Sequence, residues 1–232
     1  MVSNLNSLEN CPLLVEVPLF DLRQHCPSAV VDQIPHGGAL YTQGQRLGEI
    51  FCVLGGQIKL ARVSRDGAEF TTGLLVSGEL FGAPLNDRPE FETPETATAK
   101  GVAKILRIHI SEFRELMLNH PALALRVVVL LDQRRQQLER RLECFAFERT
   151  EARLVETLRE LSGGFEARCE HGFGQHIRLS QQELADLIGA TRPVVSTILN
   201  RLRNEGVLGY TREYVCIREI DMIERTLGLA AN

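Results

Sequence analysis

The chain has 232 residues, of which 44% are hydrophobic and 24% charged, and a formal net charge of −4. That apolar content is enough for one large domain or two smaller ones with separate cores. The acidic balance excludes a protein that coats nucleic acid indiscriminately, and no apolar run approaches the roughly 20 residues that a membrane-spanning helix needs.

Residues 1 to 10 lack the basic start and apolar run of a signal peptide, so a cytoplasmic location with no membrane partner is expected. Six cysteines (11, 26, 52, 144, 169, 216) include no C-x-x-C pair, and in that compartment disulfides are unusual unless they sense redox state. Cys52 and Cys216 lie in apolar strand-like runs and read as small core residues. Residues 1 to about 35 form an irregular leader with short helical pieces, containing Cys11-Pro12 and His25-Cys26-Pro27.

From about 36 to 110 the pattern changes to short strands between glycine turns. The strands fall at 39–42, 50–54, 57–63, 69–75, 79–81 and 103–108, with Gly55-Gly56 and Asp66-Gly67 among the turns. This spacing predicts a small antiparallel barrel or roll, with a hairpin at Asp66-Gly67 and a polar excursion over 83–98. Helix takes over near Ser111, breaks at His120-Pro121 and restarts. Leu131, Leu138 and Phe145 then recur every seven residues, with Val127 and Leu142 near the companion seam and Arg134-Arg135 interrupting it. A heptad seam implies a partner helix, most simply from a second copy; a solitary core helix is the alternative.

A helix over 150–161 ends at Gly163-Gly164, and His171 to Leu179 reads as turn and short strand. The next stretch carries the most specific signal. Ser180 and Glu183 form a capping box, Leu184, Ala185, Leu187 and Ile188 line one side of a short helix, and Gly189 ends it. Thr191 is suited to cap a second helix, Pro193 sits in its first turn, and Val195, Ile198, Leu199 and Leu202 follow at helical spacing up to Gly206. Two short helices across a glycine turn make a helix-turn-helix. A core hairpin is the alternative, but a structural helix has no need of Arg192, Ser196, Thr197 and Asn200 near one face. Arginine can bond a guanine edge bidentately, and the others can reach bases or phosphates. Between 178 and 212, five arginines face Glu183, Asp186 and Glu205, about +2 by formal charge. A hairpin over 207–217 forms a wing with Arg212 at its tip, and residues 219–232 a short helix and tail.

In that order, the roll, the long pairing helix and the winged helix-turn-helix resemble the cyclic-AMP receptor protein/fumarate-nitrate regulator (CRP/FNR) family of bacterial transcription factors, over nearly the whole chain. The resemblance implies an α+β fold: an N-terminal leader and cupin-like antiparallel β-roll sensor over 1–118, a dimerisation helix over 119–147 and a DNA-binding domain over 148–232. It also implies a homodimer on a palindromic double-stranded operator, half-sites about one helical turn apart, with RNA polymerase as a further partner. Arg192 matches the family's first base-reading arginine, and Ser196 a serine used in the fumarate-nitrate branch. Pro193 replaces the usual glutamate and Thr197 a second common arginine, so the usual operator is not expected. The expected DNA-contacting set is Ser180, Gln181, Gln182, Thr191, Arg192, Pro193, Ser196, Thr197, Asn200, Arg201 and Arg212.

Cyclic-nucleotide members hold ribose and phosphate with a Gly-Glu and an Arg-Ser/Thr pair. Here the matching segment reads Gly82-Ala83-Pro84 and Thr93-Pro94-Glu95, and Glu90, Glu92 and Glu95 would repel a phosphate. Control by cyclic AMP through that pocket is not expected, and Gly78-Glu79 reads as a turn and strand start. Cys11 and Cys26 lie too far apart in sequence to copy the family's iron–sulfur cluster. With His25 they are compatible with haem or other metal ligation or a thiol switch; exposed loop cysteines are the alternative. No cofactor or effector site follows from the sequence. The histidines lack metal-ligand spacing, and no nucleophile elbow, phosphate loop or zinc motif points to an enzyme.

Overall fold

The computed structural model describes residues 8, 11, 13–85, 92–162, 175–218 and 220–229, which form two compact units. The fold is α+β: an N-terminal antiparallel roll, a long helix and a C-terminal winged helix-turn-helix. The expected glycine pair at 163–164, together with Glu90, Cys169 and His171, lies outside the described residues. No helix among the described residues is long and apolar enough to cross a membrane.

The first unit begins with a leader that packs. Helix α1 (Leu19–His25) is followed by strands β1 (Val30–Ile34), β2 (Ala39–Tyr41), β3 (Glu49–Val63), β4 (Glu69–Leu75), β5 (Leu80–Gly82) and β6 (Thr96–His109). The sheet runs β1-β6-β3-β4, with β2 also on β6 and β5 on β3. The expected hairpin is present: the Ser64 N–H donates to the Ala68 carbonyl at 2.9 Å and the Gly67 N–H to Ser64 at 3.0 Å.

Three strand expectations need correction. Residues 50–54 and 57–63 are one strand, because Gly55-Gly56 makes a bulge rather than a turn. Gly56 has φ +77°, and a Cβ there would lie 2.4 Å from the Val102 carbonyl oxygen, so only glycine permits this approach to β6. Strand β6 reaches back to Thr96, inside the stretch read as a polar excursion; its inward residues are Ala97, Ala99 and Ala103, all fully buried. Strand β1, in the supposed irregular leader, pairs with β6 from Val30–Arg107 to Ile34–Ala103.

Two apolar clusters fill this unit. Inside the roll, Tyr41, Phe51, Val53, Ile58, Leu75 and Ile105 pack together, with the Phe51 and Phe81 rings stacked at 5.2 Å. The other cluster joins the leader (Leu8, Cys11, Leu13, Leu14, Leu22, Cys26) to Cys52, Leu106, Phe113, Leu116, Leu123 and Val127. Cys11 and Cys26 are each only 1% exposed, which overturns the exposed-loop alternative.

Helix α2 (Ile110–Asn119) is capped by His109, whose Nδ1 accepts the Ser111 N–H at 3.4 Å. Helix α3 (Pro121–Phe147) restarts at the expected proline. Its first turns are buried through Leu123 and Val127, but Val128, Leu131, Leu138 and Leu142 are 49–67% exposed. The solitary-core alternative therefore fails for the outward face of α3 from Val128 onward. Val127 departs from the expected seam, being buried in its own chain at 2% exposure. The interrupting arginines turn to acids, Arg134 to Glu79 at 2.9 Å and Arg135 to Asp132 at 2.8 Å.

The second unit contains α4 (Thr150–Ser162), β7 (Gln175–Ile177), α5 (Gln181–Ile188), α6 (Arg192–Asn204), β8 (Leu208–Tyr210), β9 (Val215–Ile217) and α7 (Ile220–Leu227). Its small sheet has the order β7-β9-β8. Cys216 is buried as expected, but it is disulfide-bonded rather than a free core thiol.

Candidate nucleic-acid interface

Helix α5 starts with the expected capping box. Ser180 Oγ accepts the Glu183 N–H at 3.2 Å, and Glu183 Oε2 accepts the Ser180 N–H at 2.9 Å. This satisfies free N–H groups at the helix start and holds Glu183 inward, at 7% exposure. Leu184, Ala185 and Ile188 are buried, and Gly189 ends the helix in the left-handed region, φ 59° and ψ 43°. A Cβ on Gly189 would lie 2.5 Å from the Phe145 ring, so α3 and the turn approach each other as closely as glycine allows.

Helix α6 buries Val195, Ile198, Leu199 and Leu202 against the rest of the unit. Its outward residues follow from the same period. Arg192, Pro193, Thr197, Arg201 and Arg203 are exposed, and Ser196 and Asn200 half-buried. Thr191 occupies the N-cap position with extended backbone, but its side chain makes no cap hydrogen bond, contrary to the expected capping role. Thr197 Oγ1 donates to the Pro193 carbonyl at 3.0 Å, leaving its lone pairs as its outward chemistry. On α5, Gln181 is half-buried, and Gln182 is exposed with Nε2 donating to Asp186 at 2.8 Å.

A polar network joins α6 to the wing. Asn200 Oδ1 accepts from the Tyr210 hydroxyl at 2.8 Å and from Arg203 Nη2 at 3.0 Å, and the Arg203 guanidinium lies 4.9 Å from the centre of the Tyr210 ring. Asn200 Nδ2 faces Ser196 Oγ at 3.5 Å. Sequence reading missed Arg203 and Tyr210. The i, i+3 spacing of Asn200 and Arg203 was available as a signal; Tyr210, on a separate strand, gave none. The wing closes with the Thr211 N–H donating to Tyr214 at 2.9 Å, and Arg212 at its tip is exposed. The result is a donor-rich surface of arginines, hydroxyls and amides.

In the roll, Thr93 points inward. It is 3% exposed, and its hydroxyl donates to the Thr42 carbonyl at 2.7 Å. Glu79 is more than a strand start, since Oε2 accepts the Val76 N–H at 2.7 Å while Oε1 meets Arg134. Cys11 and Cys26 have separate surroundings: Cys11 Sγ lies 3.8 Å from Cys52 Sγ, and Cys26 Sγ lies 3.6 Å from the Glu112 carbonyl. Burial, with Glu112 and Glu115 adding to it, pushes the Cys26 thiol up to about 12. His25 faces Glu115 at 3.5 Å. Among the described residues no three His, Cys, Asp or Glu side chains converge so as to hold a metal ion.

Residues 31–120 match the model of the cyclic nucleotide-binding domain, and residues 152–226 that of the Crp-like helix-turn-helix domain. Over 197 residues the chain is 29% identical to a cyclic AMP receptor protein of Thermus thermophilus, covering 84% of this chain and 88% of that one. It is 27% identical over 189 residues to a global nitrogen regulator of Synechocystis, covering 81% and 84% respectively. The solved c-di-GMP responsive global regulator of Xanthomonas campestris shares the fold, with a TM-score of 0.69 at 21% identity over 87% of this chain and 100% of that one.

Proposed function

The chain belongs to the CRP/FNR family of transcriptional regulators, with a DNA-binding helix-turn-helix, and from that premise we propose that it acts as a cytoplasmic homodimer reading a palindromic operator. The observation that carries this reading is the outward face of α6, where Arg192, Thr197 and Arg201 are exposed beside Ser196 and Asn200 while the opposite face is buried. Arg192 reads a guanine edge, Ser196 and Asn200 add base or phosphate bonds, and Ser180, Gln181, Gln182, Arg201 and Arg212 position the domain on phosphates. Thr191, Pro193 and Thr197 shape the entry of α6. A second copy covers Leu131, Leu138 and Leu142 on α3, with Phe145 at the end of the stripe. RNA polymerase is the downstream partner.

Operator selection from random duplexes, followed by fluorescence anisotropy, tests this. Arg192→Ala is expected to lose about 1–3 kcal/mol per half-site and relax one base position. Equal binding of the selected and scrambled duplexes by both proteins removes the assignment. Cyclic AMP is expected to leave the affinity unchanged: Thr93, where the resemblance places the phosphate-reading arginine, is turned into the protein.

A second reading adds control through N-terminal cysteines, favoured by the contact of Cys11 with another thiol. It predicts different operator affinities for the reduced and oxidised protein. Equal affinities count against it.

A further inference from the structure

We propose that Cys11 and Cys52 are an oxidisable pair that forms a reversible intramolecular disulfide, stapling the leader to β3 when a small hydroperoxide reaches it. The pairing differs from the one suggested by the sequence, in which Cys11 was grouped with Cys26. It deepens the reading of thiol control and rests on it only for its regulatory consequence.

The geometry carries the inference. The two sulfurs are 3.8 Å apart, belong to residues 41 positions apart in the chain, and are both free thiols. A disulfide needs about 2.05 Å between sulfurs, so less than about 2 Å separates the contact from the bond. The surroundings are apolar: Leu8, Leu13, Leu14, Leu106 and Ile108 belong to the same buried cluster, and Cys11 and Cys52 are 1% and 2% exposed. Such burial favours a compact oxidant over a bulky protein disulfide.

The two sulfurs are chemically unequal. Cys11 is drawn down to about 7, first by the hydrogen bond from Cys52 and then by the backbone at Leu14 and Leu13, against the opposing effect of burial. Cys52 is pushed up by the same bond and by burial. Cys11 is therefore the attacking thiolate and Cys52 the sulfur that resolves the product. Cys26, in the same cluster, has no thiol beside it among the described residues; its sulfur meets the Glu112 carbonyl, and it stays protonated.

The reaction balances without a metal. The Cys11 thiolate attacks the outer oxygen of the hydroperoxide; the O–O bond breaks, the leaving alkoxide takes up a proton, and Cys11 becomes a sulfenic acid. The Cys52 sulfur then attacks the Cys11 sulfur, the S–S bond forms, the S–O bond breaks, and the departing hydroxide leaves as water with the Cys52 proton. Two thiols lose two electrons in total, and the peroxide is reduced to an alcohol and water, or to two waters from hydrogen peroxide. A dithiol reductant reverses the link.

The test exposes the full chain to hydrogen peroxide, blocks remaining thiols with iodoacetamide, and digests without reduction for mass mapping. The expected product is a peptide pair joined through Cys11 and Cys52. It should disappear after dithiothreitol, form unchanged in Cys26→Ala, and be absent from Cys52→Ser. Recovery of Cys11 and Cys52 both alkylated, or of Cys11 joined to another cysteine, overturns the proposal. If Cys52→Ser fails to fold, the wild-type map still decides. Operator affinity is measured separately: a linked pair with unchanged affinity keeps the modification site and removes the reading of thiol control.

Discussion

Asn200 carries an acceptor and a donor on one amide, and its surroundings settle which of them faces outward. Arg203 can only donate, so the amide oxygen must face it, and the Tyr210 hydroxyl adds a second bond to that oxygen. The amide nitrogen is left beside Ser196 as the outward group, suited to a phosphate oxygen or a purine acceptor. Tyr210→Phe keeps the ring under Arg203 and removes one bond. Operator binding should weaken by about 0.5–1.5 kcal/mol, with scrambled DNA unaffected; an unchanged anisotropy curve would remove Tyr210 as a positioning residue. Cys26 makes a prediction about pH. Its raised value means that the neutral thiol belongs to the fold, so its contribution is fully present below 9.0 and is lost as pH rises through about 12. Denaturant unfolding should show stability falling across that alkaline window, and Cys26→Ala should flatten the fall. At this scale the placement of Arg192 and Ser196 on the outer side of α6 was legible in the sequence, because their spacing on one helix is local. It was silent on Tyr210 and on the Cys11–Cys52 contact, which the fold brings together across 10 and 41 positions.

Among elements, α5 was the most legible, because a capping box and a terminal glycine are local devices with fixed spacing. The turn after it also holds a constraint from far along the chain. Gly189 combines a left-handed backbone with a Phe145 ring where a Cβ would go. Gly189→Ala should therefore cost at least about 1–2 kcal/mol from the backbone alone, with an added collision. Adding Phe145→Ala should recover the collision and leave the backbone cost, as read by a thermal-unfolding double-mutant cycle. Full recovery would mean that the backbone accommodates alanine at no cost. Strand β6 was half-hidden for the opposite reason. Its inner face from Ala97 to Ala103 is built from alanine and glycine, so the alternation is real but carries little hydrophobic contrast. Strand β3 read as two because a glycine pair marks turns and bulges alike, and only the partner strand distinguishes them.

For the molecule as a whole, α3 carries a stripe of exposed leucines. Leu131, Leu138 and Leu142 are 52%, 49% and 67% exposed, where burial would return about 25 cal/mol per Å² of apolar area. Leu131→Glu with Leu138→Glu should give a folded monomer by sedimentation, with tight operator binding lost and the dependence of affinity on salt roughly halved. A double variant that stays dimeric would place the subunit contact elsewhere. The order of roll, long helix and winged helix-turn-helix was legible because each has its own period or punctuation. The leader was not, since its buried leucines and cysteines follow no repeat and find their neighbours on β3, α2 and α3.

The inward Thr93 also bears on what descendants of this chain can become. Its hydroxyl holds the Thr42 carbonyl, its N–H donates to Gln45 at 2.9 Å, and its own carbonyl accepts from Gly44 at 2.8 Å. Thr93→Arg would thrust a guanidinium into a site that is 3% exposed and remove the hydroxyl that ties the turn. An arginine at this position would need the 42–45 turn to be rebuilt around it.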